Sequence, residues 1–216
     1  GTAFWGHQLT DLAQVLPRAR GSKNPALLLD YDRFSSDELL NQYFAERAVL
    51  KEITPHLPVT TNFMVGAEPD VVDYARWAAH MDIVANDHYT RTPDPLPQQD
   101  IAFSGDRMRA MTTGRRPWML MEHSTSAVNW QPRNRAKLPG EMVRNSLSHV
   151  AHGADGVLFF QWRASSAGAE QFHSGMVPHA GEDSALFQEV RRLGELLRSL
   201  APVQGLDPYP EGGNTF

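Results

Sequence analysis

The sequence predicts an α/β protein built on a parallel sheet. Three observations carry this. Four short β-rich runs alternate with helical patterns, and no two runs are joined by a hairpin-length turn. Every run ends in polar or aromatic residues: Asn62; Asn86, Asp87 and Tyr89; Glu122; Gln161 and Trp162. Several strand ends feeding one site is the pattern of a barrel. A doubly wound sheet would favour a Gly-rich phosphate turn, and no G-x-G-x-x-G occurs.

Taken in order, residues 1–34 show little period and read as an irregular covering segment. Ser35 and Glu38 are spaced as a capping box. Leu40, Tyr43, Phe44, Ala48 and Leu50 then form one helical face ending near Pro55. Residues 59–64 read as the first strand, with Asn62 near its end. A helix opens at Glu68-Pro69 and runs through Val72, Ala75 and Ala79. The second strand covers 83–89, followed by a stiff Pro-rich loop over 92–97 and a helix over 100–113. A turn at 114–117 leads into the third strand, 118–123, an apolar run that stops at Glu122. Met142, Val143, Ser146, Leu147 and Val150 mark the next helix, and 156–162 the fourth strand. After a long polar loop, Leu186, Val190, Leu193, Leu197 and Leu200 recur at helical steps. Beyond Pro202 the chain becomes Gly- and Pro-rich and reads as a linker.

Four strand–helix units are half of an eight-stranded barrel, and a half barrel leaves two unpaired edges. The remaining strands are expected upstream. The start at Gly1, without Met, also reads as an internal piece. Composition narrows the partners. The 216 residues hold 20 Lys+Arg against 25 Asp+Glu, a net charge of −5, which argues against nucleic acid and an anionic membrane surface. No apolar run approaches the length of a membrane helix. Cysteine is absent, so neither a disulfide framework nor a thiolate zinc site belongs to this segment.

A Glu is almost never fully buried unless paired or used. Glu122 ends a core strand, and Asn129, Trp130 and Gln131 follow it. An aromatic face for the C–H side of a sugar ring, amides for its hydroxyls and a carboxylate make a sugar site. The competing reading is a strand-end Glu paired with Arg; the strand context favours function. Glycoside hydrolysis usually needs a second carboxylate. Asp87 reads better as structural, orienting a neighbour by hydrogen bonding, whereas Glu170 lies in a loop where a solvated Glu is an equal reading. Glu170 and His173 share an E-x-x-H spacing, and His179 lies near. One such pair in a Gly-rich loop argues against a catalytic metal. His149 and His152 read as a surface or packing pair, and Trp162 as an aromatic of the site floor.

Met121-Glu122-His123-Ser124-Thr125 with Asn129-Trp130-Gln131-Pro132 resembles the nucleophile region of glycoside hydrolase family 42, the β-galactosidases. The likeness extends through Ala151-His152-Gly153-Ala154-Asp155-Gly156, Phe159-Phe160-Gln161-Trp162-Arg163 and Gly168-Ala169-Glu170-Gln171-Phe172-His173. It also covers Thr60-Thr61-Asn62-Phe63 and Asn86-Asp87-His88-Tyr89. The resemblance implies a (β/α)8 TIM barrel with strands five to eight here, and a retaining β-galactosidase with Glu122 as nucleophile. It implies that Trp130, Glu170, Phe172 and His173 line the galactose subsite and that Tyr89 lies close to Glu122. An ionised nucleophile should accept hydrogen bonds from neighbours such as Asn62 and Tyr89. The family's acid/base Glu follows an Asn, and no Asn-Glu pair occurs here; its structural zinc sits on cysteines, also absent. Both are expected in the missing part, with no cofactor in this segment. Residues 1–201 are then the C-terminal half of the catalytic barrel and 202–216 the start of a linker. The resemblance further implies a galactoside substrate and a homotrimer, and the cytoplasm is the expected compartment. The other class kept open is a sugar-binding remnant that lost its acid/base.

Overall fold

The computed structural model describes residues 8–15, 24–66, 72–90, 96–112 and 118–205. The helix start at 68–69, residues 92–95, the turn at 114–117 and the linker from 206 onward lie outside the described residues. The chain divides into two compact units. One is Gly1–Leu57 with Pro69–Trp77; the other is Pro58–Glu68 with Ala78–Phe216.

The first unit is built on α1, Pro25–Ile53. This corrects the expected start at Ser35 and, for residues 25–34, the irregular reading of 1–34. Asn24 caps the helix, its Oδ1 accepting from Leu27 N at 3.2 Å, and Pro25 occupies the first turn, where a missing N–H costs nothing. Ser35 instead lies inside the helix and donates back to the Tyr31 carbonyl at 2.8 Å. The buried stripe is Ser36, Leu40 and Tyr43, at steps of four and three. Ser36 Oγ accepts from Asp73 N and from Trp77 Nε1, each at 3.1 Å, and Arg76 pairs with Asp37. Helix α2, Tyr74–Ala78, is shorter than its predicted pattern.

The second unit holds one parallel sheet in sequential order: β1 Asn62–Phe63, β2 Val84–Asp87, β3 Trp118–Glu122 and β4 Ala154–Val157. Helices α3 (Pro97–Met111), α4 (Glu141–Ala151) and α5 (Ala185–Ser199) alternate with the strands. All four predicted strands are parallel, as the absence of hairpin turns required. The fourth is displaced: 156–162 was expected, but the ladder starts at Ala154. Gly153, at φ 92°, ends α4 in a left-handed turn that leads straight into the strand. Beyond Val157 only alternate amides continue the pairing, Leu158 N to Leu120 O and Phe160 N to His123 O.

Phe63, Val84, Ala85, Ile101, Met108, Trp118 and Leu120 are buried around the sheet. Met142, Val190 and Leu193 form the core between α4 and α5, extended by Val143, Leu147, Phe159, Met176 and Leu197. Ser184 caps α5 by accepting from Phe187 N at 3.3 Å. The core also holds imidazoles. His149, which the sequence left between surface and packing, is fully buried and packs edge-on to His88 at 5.0 Å, His123 at 5.9 Å and Trp118 at 6.2 Å between ring centroids. His152 instead meets Asp106 at 2.8 Å.

Burial holds His149 down to about 3 and His123 well below its usual value, so both rings are neutral in the folded protein. In the unfolded chain they charge below their ordinary value near 6.5. The stability each supplies is therefore complete above about pH 6.5 and is lost as pH falls towards the folded value. Denaturant titrations between pH 7 and pH 4 are expected to show a His149 contribution of up to about 1.4 kcal/mol per pH unit. His149→Leu should flatten that slope; an unchanged slope would refute the assignment.

Candidate active site

The site begins with register. Asp87 and Glu122 are paired residues at the ends of β2 and β3, just past an irregularity between Asn86 and Asp87. Val84 and Ala85 of β2 and Trp118 and Leu120 of β3 are apolar and buried, and the carboxyls emerge together where the sheet ends. Asn86 is buried and fastens the β1 end from beneath: its Oδ1 accepts from Val65 N at 2.7 Å and its Nδ2 donates to Ser104 Oγ at 3.1 Å.

Tyr89 donates its phenolic hydrogen to Glu122 Oε2 at 2.7 Å. Asn62, expected beside Glu122, donates instead to Asp87 Oδ2 at 3.1 Å. Asp87 thus accepts a hydrogen bond from a neighbour, as its structural reading expects. Burial, with the Glu122 charge second, pushes the Asp87 carboxyl up to about 7 against the Asn62 bond. Tyr89 is pushed well above its usual range by burial, by the Glu122 bond and by the charges of Glu122, Asp87 and Glu170.

Above these groups lie two loops. Trp130, 54% exposed, meets Tyr89 edge-on at 5.7 Å. His173, 3% exposed, meets Tyr89 at 6.1 Å and Phe160 at 5.0 Å. His173 Nδ1 faces Asn129 Oδ1 at 3.2 Å and Glu170 Oε2 at 3.7 Å. Burial lowers the His173 value, while Glu170 pulls it the other way. The loops are tied by Asn129 Nδ2 to Ala169 O and Asn134 Nδ2 to Phe172 O, both at 2.8 Å. Gly175 allows the second loop to pass the chain at Ala164: an added Cβ would sit 2.4 Å from the Ala164 nitrogen.

Glu122, Tyr89, Trp130, Glu170 and His173 therefore converge, and Asn62 joins them through Asp87. Phe172 is on the same loop as Glu170 but is 66% exposed. Trp162, read as a floor aromatic, is 67% exposed. Phe160 was not singled out in the sequence; it sits in a plain apolar run, which hides its contact with His173. No group of His, Asp and Glu among the described residues is arranged to hold a metal, and the sequence has no cysteine for a thiolate site. Among the described residues no helix is long and apolar enough to cross a membrane.

A parallel α/β sheet with a hydrogen-bonded carboxylate at the end of an interior strand, beneath an exposed Trp, is the architecture of a glycoside hydrolase barrel. Comparison with known proteins gives the family. A family model described as beta-galactosidase, that of glycoside hydrolase family 42, matches residues 1–200, and the chain belongs to that family. It is 52% identical over 207 residues to a beta-galactosidase of an Arthrobacter species and 51% identical over 205 residues to beta-galactosidase BbgII of Bifidobacterium bifidum. These alignments cover 95% and 93% of this chain but 30% of each relative, so the chain spans under a third of their length. Gan42B, a family 42 beta-galactosidase from G. stearothermophilus, superposes with a TM-score of 0.84 at 34% identity, covering 94% of this chain and 31% of that one. The four-stranded sheet is accordingly half of a (β/α)8 barrel.

The raised Asp87 value has a measurable consequence. An unfolded Asp ionises near 3.8, so the neutral folded form stabilises fully below that pH, and the contribution is lost as pH rises through about 7. Asp87→Asn is expected to gain stability relative to the parent chain between these limits and to stay level above them. A difference independent of pH in denaturant unfolding would show that Asp87 is not perturbed.

Proposed function

We propose that this chain is part of a retaining β-galactosidase, with Glu122 as the nucleophile. The observation that carries the reading is the Tyr89 hydroxyl donating to Glu122 Oε2 at 2.7 Å where the buried strand ends, 5.7 Å from the exposed Trp130 ring. Trp130 offers an aromatic face to the sugar, and Glu170 and His173 offer partners for its hydroxyls. The acid/base Glu lies outside these residues, as does any structural zinc. This segment needs no cofactor. Residues 1–201 belong to the catalytic barrel and 202–216 begin a linker. The assembled enzyme is a cytoplasmic homotrimer acting on terminal β-galactosides.

In the first step the Glu122 carboxylate attacks the anomeric carbon, and the glycosidic C–O bond breaks as the acid/base Glu protonates the leaving oxygen. The Tyr89 hydrogen holds the attacking carboxylate in place until the galactosyl ester forms. In the second step the same acid/base Glu takes a proton from water, which displaces Glu122 and restores the original anomeric configuration.

Losing the nucleophile costs on the order of 5 kcal/mol of barrier or more. In the full-length enzyme Glu122→Gly should be nearly inactive, and added azide should restore turnover with release of α-galactosyl azide. A β-configured product, or a mechanism-based label on Glu170, would overturn the assignment. A parent protein that binds galactose without turning over galactosides would be the sugar-binding remnant. Residues that only hold the sugar act on ground state and transition state alike. Trp130→Ala and Glu170→Gln are therefore expected to raise KM more than they lower kcat; unchanged kinetics in both would remove them from the site.

A further inference from the structure

Lys137 lies in the stretch 133–139, where Arg133 and Arg135 are solvent-exposed, yet it turns inward. Its Nζ donates to the Ser124 carbonyl, to Ser124 Oγ and to the Ser126 carbonyl, the last at 3.3 Å. Its own backbone N donates to Ser126 Oγ at 3.1 Å. An ammonium has three hydrogens and accepts none, so three acceptors saturate it. Ser124 is the second residue after Glu122, and it is buried. The ammonium thus closes, at its base, the loop that leaves the nucleophile strand and carries Asn129 and Trp130. The closed loop then docks on the His173 loop, with Ser126 N donating to Ser174 Oγ at 2.8 Å and Ser174 N to Ala127 O at 3.0 Å.

We propose that Lys137 is a positioning residue of the sugar subsite, its ammonium fastening the loop after Glu122 so that Trp130 and Asn129 are held against the His173 loop. This rests on the galactosidase reading above. The titratable groups facing Lys137 are Glu141 at the start of α4, His123 after β3 and His173 on the docking loop. Burial brings Lys137 down to about 8, against the pull of Glu141. Its positive charge adds to burial in disfavouring the charged forms of His123 and His173. Above that pH the neutral amine keeps two hydrogens for three acceptors, and the fastening weakens.

The test uses the full-length enzyme and an aryl β-galactoside, with kcat and KM measured from about pH 6 to about pH 10. The parent KM is expected to climb through about pH 8. Lys137→Met should raise KM roughly tenfold at neutral pH, change kcat far less, and lose that climb. An unchanged KM, or a climb that persists in the variant, overturns the proposal. Should Lys137→Met fail to fold, hydrogen exchange of the parent at 124–131 decides, after correction for the intrinsic pH effect. Protection lost on the alkaline side supports the proposal, and protection retained overturns it. Absence of galactoside turnover by the parent would sink the galactosidase reading alone. In that case faster exchange at 124–131 in Lys137→Met supports the fastening, and equal rates overturn it.

Discussion

Everything at the site depends on how firmly β3 is held. It is an interior strand, bonded to β2 on one side and β4 on the other. Trp118 and Leu120 are buried to within 1% on its apolar face. A strand fixed on both edges and by its side chains has no freedom to slip, because a shift of one residue would exchange its faces. Glu122 therefore emerges at a defined height, and His88 N donates to the Glu122 carbonyl at 3.0 Å. That bond places Tyr89, the next residue, where its hydroxyl reaches the carboxylate.

The loops could not achieve this alone. Loop backbone is ordered here by side chains that reach main-chain carbonyls: Asn129 to Ala169, Asn134 to Phe172 and Lys137 to Ser124 and Ser126. Each such bond satisfies a carbonyl that no ladder covers. A rigid sheet thus supplies the carboxylate, and a laced pair of loops supplies the rings around it.

How much of this was legible in the sequence follows from the kind of signal. The parallel sheet was legible because helices separate every pair of strands, and α5 because its leucines recur at helical steps. Glu122 was legible because a carboxylate ends an apolar run. The first ten residues of α1 were not: their buried stripe is absent, and the helix starts on a cap and a proline, Asn24 and Pro25. The β4 boundary was missed because the strand opens with Ala154, Asp155 and Gly156, which carry little β-propensity, and is specified by pairing with β3. Lys137 was hidden for a different reason. In a run with two arginines it looks like a solvated charge, and only the folded loop shows three oxygens gathered about it. Asn62 was expected to donate to Glu122 and donates instead to Asp87, since neither spacing nor residue type distinguishes the two as acceptor.

The charges are sorted by depth, and the sorting explains why one phenol can serve the carboxylate. Glu122, Asp87 and Glu170 all act on Tyr89, and each disfavours its ionisation. Burial first, then the Glu122 bond and the neighbouring carboxyl groups, keep the proton on Tyr89, which remains a donor. Beneath the carboxylates the imidazoles of His123 and His149 are held neutral by burial. A protonated phenol beside it leaves Glu122 oriented.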